Sequence, residues 1–258
     1  MKAKALKPLL LSAAAILLVV STVLATMAYM TSSSAVSNVF TVGNVKLNMT
    51  ETKVNNDGTP VAGAARTDTN SYHLVPGKSY LKDPIIEIGG ESDKSYLFVR
   101  VRNDLKSIEC PGTINLNDGS TAPCPHTNCQ TILEQMKANG WQEIERASTN
   151  VDAVFVYVGK NNVVENTSDA DGNKYVNSLM PDAVLVGGNA AKESEFYTVF
   201  EKFALSNEVP NLESFGGARV AIVAYAIQAD LTGAGVQCSP EAYKNAWQYI
   251  KNELPFVV

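Results

Sequence analysis

The sequence predicts a mainly β protein: a jelly-roll β-sandwich with one inserted helix and one C-terminal helix. About ten short runs rich in β-branched and aromatic residues recur along the chain, separated by turn residues, as in sandwiches and jelly rolls. Residues 153–158 and 219–229 are apolar on both faces, which is typical of strands covered by a second layer. Apolar residues recur at helical spacing in residues 128–139 and from residue 240 onwards.

The first strand region follows a polar, Ser-rich segment. From Val45 onwards apolar and polar residues alternate, which is the period of a half-buried strand. Upstream, the apolar residues Val36, Phe40 and Val42 are in a different phase. We therefore expect a bend or bulge at Gly43 and Asn44, where the strand changes face.

The middle of the chain holds the next predicted strands and one irregular segment. Residues 71–75, 80–88 and 96–101 read as strands, and the last two are expected to form a hairpin around the loop at residues 89–93. Residues 107–126 contain three prolines and two cysteines without any periodicity. They predict a loop or insertion, and the whole cysteine-containing insertion is placed at residues 104–140.

The remaining elements follow from periodicity and helix-end signals. Residues 128–139 predict a helix that ends at Asn139 and Gly140. Further strands are predicted at residues 141–147, 153–158, 183–186, 196–205 and 219–229. Ser239 as N-cap and Pro240 at the first position predict a last helix, whose apolar stripe is Tyr243, Ala246, Trp247 and Ile250.

The N-terminus has the order of regions of a secretory signal peptide. Three lysines precede an apolar run at residues 9–24, and small residues follow it. We expect cleavage between Ala28 and Tyr29, with a cut after Ala25 as the second choice and an uncleaved membrane anchor as the alternative. Residues 1–28 are then the signal peptide, and residues 29–258 form a single jelly-roll domain without a stable membrane anchor.

The charge balance argues against nucleic acid as a partner. The full chain carries a net charge of −5, and losing the three lysines before residue 28 lowers it to −8. Basic residues are scattered instead of forming a stripe that would follow a phosphate backbone. The acidic balance therefore points to solubility.

Several short motifs are spread over the chain from the predicted cleavage site onwards. The first is the junction TMAYM at residues 26–30, followed by NVFTVGNV at residues 38–45. The others are VPGK at residues 75–78, YLFVRV at 96–101, FEKF at 200–203 and AYAIQAD at 224–230. In this order the motifs resemble the TasA/camelysin family of secreted Gram-positive proteins. The segment from Cys110 to Cys129 departs from the short members of the family as an insertion.

The resemblance implies a secreted jelly-roll subunit that polymerises with copies of itself into fibres of the biofilm matrix. It also implies processing by a dedicated signal peptidase, an accessory or anchoring fibre protein as a further partner, and no cofactor. In such fibres the N-terminal strand of one subunit completes a sheet of the next. Here that donor arm is residues 29–42, carried by Tyr29, Val36, Val39, Phe40 and Val42.

Two other functions stay open. The family includes proteins described as metallopeptidases, but this chain has only two histidines, His73 and His126, and no H-E-x-x-H motif. An enzyme is therefore the less favoured alternative, and no catalytic or metal residue is assigned. The other alternative is a monomeric surface adhesin or binding module that uses the cysteine-containing insertion as its contact surface.

Four cysteines in an exported chain are consistent with two disulfides. The candidates are Cys110, Cys124, Cys129 and Cys238, which allow three connectivities that the sequence does not decide between. The alternative is a structural zinc site formed by Cys110, Cys124, His126 and Cys129, although no C-x-x-C pair supports it. Disulfides are the preferred interpretation.

Overall fold

The computed structural model describes residues 31–33, 38–116, 118–122, 124–146, 151–163, 183–229 and 240–253. Ala28, Tyr29, Val36 and Cys238 lie outside these residues. The strands are β1 (Thr31–Ser33), β2 (Asn38–Val42), β3 (Leu47–Thr50), β4 (Ser71–His73), β5 (Ser79–Leu81), β6 (Ile85–Ile88), β7 (Ser95–Asn103), β8 (Ile114–Asn115), β9 (Thr121–Ala122), β10 (Trp141–Arg146), β11 (Asp152–Tyr157), β12 (Glu195–Thr198), β13 (Lys202–Ala204) and β14 (Val220–Gln228). The helices are α1 (Ile132–Ala138) and α2 (Pro240–Glu253), with a 3-10 turn at Leu212–Phe215.

A five-stranded sheet forms the centre of the molecule. Its strand order is β10-β11-β7-β14-β2, and all neighbours are antiparallel except β14 and β2, which are parallel. The strands β11, β7 and β14 are buried on both faces. Unbroken apolar runs in the sequence predicted this for β11 and β14.

The larger core lies on one face of this sheet. Leu97, Val99 and Ile222 on that face join one buried cluster with Ile86 and Phe203, which come from smaller sheets. These sheets are the three-stranded β12-β6-β3 and the pair β13-β5. Their apolar faces and that of the central sheet exclude water from each other, which stabilises the packing of the layers.

The second face of the central sheet is covered by α2. The predicted stripe of Tyr243, Ala246, Trp247 and Ile250 is buried there against residues of β7, β11 and β14. The indole Nε1 of Trp247 also donates a hydrogen bond to Glu145 Oε2 at 2.8 Å. Lys251 Nζ also forms an ion pair with Glu145 at 3.0 Å. The helix is thus held by an apolar stripe and by polar contacts of Trp247 and Lys251 to β10.

The described residues form a mainly β fold with two helices, as predicted. Within the described residues the sheets do not close, so the jelly-roll topology stays a prediction. No helix in the described part of the chain is long and apolar enough to cross a membrane.

The predicted hairpin of residues 80–88 and 96–101 is wrong. The strand β6 pairs with β3 and β12, whereas β7 pairs with β11 and β14 in the other sheet. The intervening loop crosses between the layers, and its Gly89 and Asp93 N–H groups donate to the carbonyls of Lys46 and Asn44. Both strands are apolar because they line the same core from opposite sides.

Three element boundaries also differ from the predictions. The inserted helix begins at Ile132 instead of residue 128, because Asn128 is left-handed (φ 54°) and Thr131 forms a capping box with Glu134. Residues 183–186 form one isolated bridge, between Val186 and Ser95, instead of a strand. The single strand predicted at residues 196–205 is divided between β12 and β13, which belong to different sheets.

The cysteine-containing segment is more ordered than a loop. It contains the short hairpin of β8 and β9, which pair Ile114 with Ala122 and Asn115 with Thr121. Its buried apolar residues belong to the larger core cluster: Leu105, Ile108, Ile114, Ala122, Ile132 and Met136. The segment therefore contributes to the core of the molecule.

Candidate functional site

The described part of the predicted donor arm pairs with the chain's own sheets. The strand β2 runs parallel to β14, with Val39 opposite Ala224, Phe40 opposite Tyr225 and Val42 opposite Ile227. Further upstream, β1 pairs antiparallel with β4, where Thr31 lies opposite His73. The arm is thus hydrogen-bonded to two different sheets of one subunit.

The strand β14 provides the edge to which β2 binds. Its other side is fully paired with β7 over nine residues, from Val220 opposite Asn103 to Gln228 opposite Ser95. Without β2, the N–H and C=O groups on the open side of β14 would have no strand partner in the described structure. Such an edge pairs readily with any available strand, and here the chain's own N-terminal strand occupies it.

The arm is joined to the domain through the predicted bend. Gly43 adopts φ 93°, a left-handed conformation that favours glycine, and Gly43 and Asn44 form the bend. The Asn44 N–H donates to Gln228 Oε1 at 3.3 Å, and the Asn44 carbonyl accepts from the Asp93 N–H at 3.0 Å. Val45 is then buried, and β3 continues in the other sheet. Rotation at these few residues would change the direction in which the arm leaves the domain.

A cavity of about 180 Å³ lies between α1 and the central sheet. Its apolar lining includes Val101, Ile132, Leu133, Met136, Ala153 and Phe155. Its polar residues include Asn103, Lys106, Glu109 and Arg146. An apolar cavity with a few convergent polar groups is the usual form of a small-molecule site.

Glu109 is the buried carboxyl group of this cavity. Its Oε1 accepts a hydrogen bond from the Ile132 N–H at 2.5 Å, and its Oε2 accepts from Asn103 Nδ2 at 2.8 Å. Burial raises the pKa of Glu109 to about 7, although both hydrogen bonds lower the pKa. The sequence contains no signal for this role, because Glu109 lies in a segment without periodicity.

Three of the four cysteines converge in the segment that begins directly after Glu109. Cys110 and Cys124 form a disulfide, and Cys129 is a free thiol whose pKa is raised by burial. The three sulfur atoms all lie within 4.8 Å of one another. Of the two expected disulfides, one is present. The second would involve Cys238, which lies outside the described residues.

His126 does not join the sulfurs as the zinc alternative required. Among the described residues, the one group of three or more cysteine, histidine or acidic side chains that could hold a metal ion is the three cysteines. The backbone carbonyl of His126 lies 3.8 Å from Cys124 Sγ. The imidazole Nε2 of His126 is buried without a hydrogen-bond partner in the described part of the chain. The four-ligand set with His126 is therefore not formed.

The geometry defines a mainly β protein whose N-terminal strand completes the edge of its central sheet. Comparisons of the chain with protein-family models, with curated proteins and with solved structures found no match. The TasA/camelysin resemblance therefore rests on the sequence motifs alone.

Proposed function

We propose that the protein is a secreted structural subunit that polymerises head to tail into extracellular biofilm-matrix or surface fibres. Assembly occurs by exchange of the N-terminal strand: β2 of one subunit leaves its own β14 and pairs with β14 of the next. The observation that carries the proposal is the parallel pairing of β2 with β14 at a sheet edge. The resemblance to the TasA/camelysin family, with its jelly-roll topology and dedicated signal peptidase, supports the same function.

The exchange needs no new interface. The same residues, Asn38–Val42, pair with the same register on β14 whether the strand comes from one subunit or from another. The free-energy difference between the self-paired subunit and the exchanged filament therefore depends on the bend at Gly43 and on the effective concentration of the arm. A head-to-tail exchange does not close on itself, so it produces filaments instead of dimers.

The disulfide supports the proposed location. The Cys110–Cys124 bond requires an oxidising compartment, which agrees with an exported protein. The lysines, apolar run and small residues at the N-terminus provide the export signal on which this proposal also rests.

The experiment compares three chains that begin at Tyr29, by negative-stain electron microscopy. One has the native arm, one carries Phe40→Pro and Thr41→Pro, and the matched control carries Phe40→Leu and Thr41→Ser. In a parallel pair, successive N–H groups of a strand point to opposite sides. One of two successive prolines therefore removes a hydrogen bond to β14, whichever of the two N–H groups points towards it. We expect filaments from the native and control chains and single particles from the proline variant.

The other outcomes are equally informative, once circular dichroism has shown that each chain is folded. Filaments from all three chains would retain the fibre and reject strand exchange. Single particles from all three would reject the fibre and favour the binding module.

The cavity beside α1 favours that second candidate, a surface binding module that uses the cysteine-containing segment. Leu133 is half-buried at the cavity, so Leu133→Trp would narrow it without replacing a fully buried residue. We expect this variant to lose binding of an apolar fluorescent probe if the cavity is a ligand site. Equal binding by the native chain and the variant would show that the probe binds outside this cavity.

A further inference from the structure

The three converging sulfur atoms indicate a second site, which is independent of strand exchange. We infer that Cys110, Cys124 and Cys129, once the disulfide is reduced, bind one thiophilic metal ion such as Zn²⁺ or Cd²⁺. Thiolates are the protein ligands that such ions prefer. The proposed set contains three cysteines and leaves the fourth position to water.

The sulfur positions fit a metal ion. In a tetrahedral site with metal–sulfur bonds of about 2.3 Å, the sulfurs lie about 3.8 Å apart. The three Sγ atoms here lie within 4.8 Å of one another, so binding requires only small side-chain movements after the disulfide opens.

The backbone places each cysteine by contacts that do not depend on the disulfide. Cys110 is fully buried, and its N–H donates to the Ala204 carbonyl at 2.9 Å. Cys124 follows β9, whose Ala122 is fully buried in the core. Cys129 lies two residues before Thr131, the N-cap of α1. The site is therefore partly organised in advance, which lowers the entropic cost of binding the ion.

The accessibility of the sulfurs gives the ion a route to the site. Cys110 is at the buried end, whereas Cys124 and Cys129 are half-exposed. An ion can therefore reach the two outer thiolates first and then bind the inner one.

The chemistry has two balanced steps. A dithiol reductant breaks the Cys110–Cys124 bond, supplies two electrons and two protons, and becomes a disulfide itself. The ion then binds three sulfurs, which release their thiol protons to water. Of these three cysteines, the oxidised chain offers only the Cys129 thiol, so oxidation removes the site.

The test uses the full chain after signal cleavage. Anaerobic protein is reduced with dithiothreitol, separated from it and titrated with Cd²⁺, and the sulfur-to-cadmium charge-transfer band and the bound metal are measured. We expect one Cd²⁺ per chain in the reduced protein and none in the oxidised protein. Cys129→Ser should weaken binding by more than about 100-fold, because loss of a residue that only orients a ligand already costs about 10- to 100-fold. The matched control, Cys238→Ser, should bind as the native chain does.

The proposal is overturned if the reduced chain shows no charge-transfer band, or if Cys129→Ser and Cys238→Ser weaken Cd²⁺ binding equally. Near-UV circular dichroism separates binding from folding. If reduction unfolds the chain, recovery of the native spectrum with one equivalent of Cd²⁺ supports the site, and failure to recover counts against it. Cys124→Ser provides a second variant with a half-exposed ligand removed, and retention of native affinity there would also contradict the inference.

Discussion

Phe40 and Tyr225 lie opposite each other in the parallel pairing of β2 with β14, although most of the chain separates them. Tyr225 is buried beneath Trp247 of α2, with ring centroids 5.8 Å apart. The edge that receives β2 thus belongs to a strand that is buried on both faces. A strand bound there is aligned by backbone hydrogen bonds to β14, which is itself packed against α2.

Subunits that accept a strand but cannot donate one should cap growing filaments. The chain with Phe40→Pro and Thr41→Pro keeps β14 unchanged, so it can receive a donor strand and offers none to the next subunit. We expect a small fraction of this variant to shorten the mean filament length of the native chain. Electron microscopy measures the lengths, and Phe40→Leu with Thr41→Ser is the control. Unchanged lengths would mean that growth does not pass through β2.

Replacement of Gly43 should weaken the self-paired arm. Gly43 has φ 93°, and a β-branched residue there costs about 1–3 kcal/mol of strain. We expect Gly43→Val to lower the unfolding temperature of the monomer and to accelerate filament formation, because the strained bend is released when the arm leaves. The exposed neighbour Asn44 supplies the control Asn44→Ala. Equal effects of both changes would contradict this explanation.

The buried ion pair of Glu51 and Lys82 should be strongly coupled. Lys82 Nζ lies 2.7 Å from Glu51 Oε2, and the two side chains are only 2% and 4% exposed. Lys82→Met alone should reduce the free energy of unfolding by about 3–5 kcal/mol, because it leaves a buried unpaired carboxylate. Adding Glu51→Gln should recover most of this loss, since the amide still accepts from Asn70 Nδ2.

Urea unfolding of the single and double variants measures that coupling. The exposed pair of Lys46 and Glu91 is the comparison, and Lys46→Met should leave stability almost unchanged. Additive effects of the Glu51 and Lys82 changes would show that the pair does not act as a unit.

The Cys110–Cys124 disulfide should contribute measurably to stability. It closes a loop with a sequence separation of 14, for which the chain-entropy model gives about 3 kcal/mol. We expect Cys124→Ser with Cys129→Ser to lose about this amount, whereas Cys129→Ser alone keeps the bond and most of the stability. Removing Cys129 in both variants prevents it from replacing Cys124 as the partner of Cys110. Equal stability of the two variants would show that the bond contributes little.

Tyr80 should make the fold sensitive to alkaline pH. Burial raises the pKa of Tyr80 to about 12, while its hydroxyl donates to the His73 carbonyl and accepts from the Val75 N–H. Because the pKa in the folded state lies above the unfolded value of about 10, this contribution to stability is complete below pH 10 and declines as pH rises towards 12. Urea unfolding between these pH values should show a decline that is smaller in Tyr80→Phe. Tyr249→Phe, at an exposed position of α2, is the control, and identical declines in all three chains would contradict the prediction.

Periodicity predicted the local features of the fold well. Both faces of β14 are buried, as its continuous apolar run predicted, and the stripe of α2 packs as its spacing predicted. The bend at Gly43 and the end of α1 at Asn139 were also predicted correctly. These features depend on residues within a few positions of one another, so the sequence contains them directly.

Pairing partners were predicted less well. Alternation in β6 and β7 shows that both strands face a core, but it does not show which edge each strand pairs with. For the same reason the cavity at Glu109 was not expected from the sequence. The convergence of Cys110, Cys124 and Cys129 was expected only in the zinc alternative. The proposed zinc ligand His126 was suggested by proximity along the chain, and the backbone between Cys124 and Cys129 placed it apart from the sulfurs.

The sequence by itself therefore determined the mainly β class, the helix at the C-terminal end and the apolar arm that precedes Gly43. Hydrophobic periodicity and turn chemistry are local, and they are sufficient for these features. Only the tertiary structure decided that β2 lies parallel to β14 and that Cys110 pairs with Cys124 beside a free thiol. Both arrangements join residues that are distant along the chain, and they form only when the packing of the layers brings those residues together.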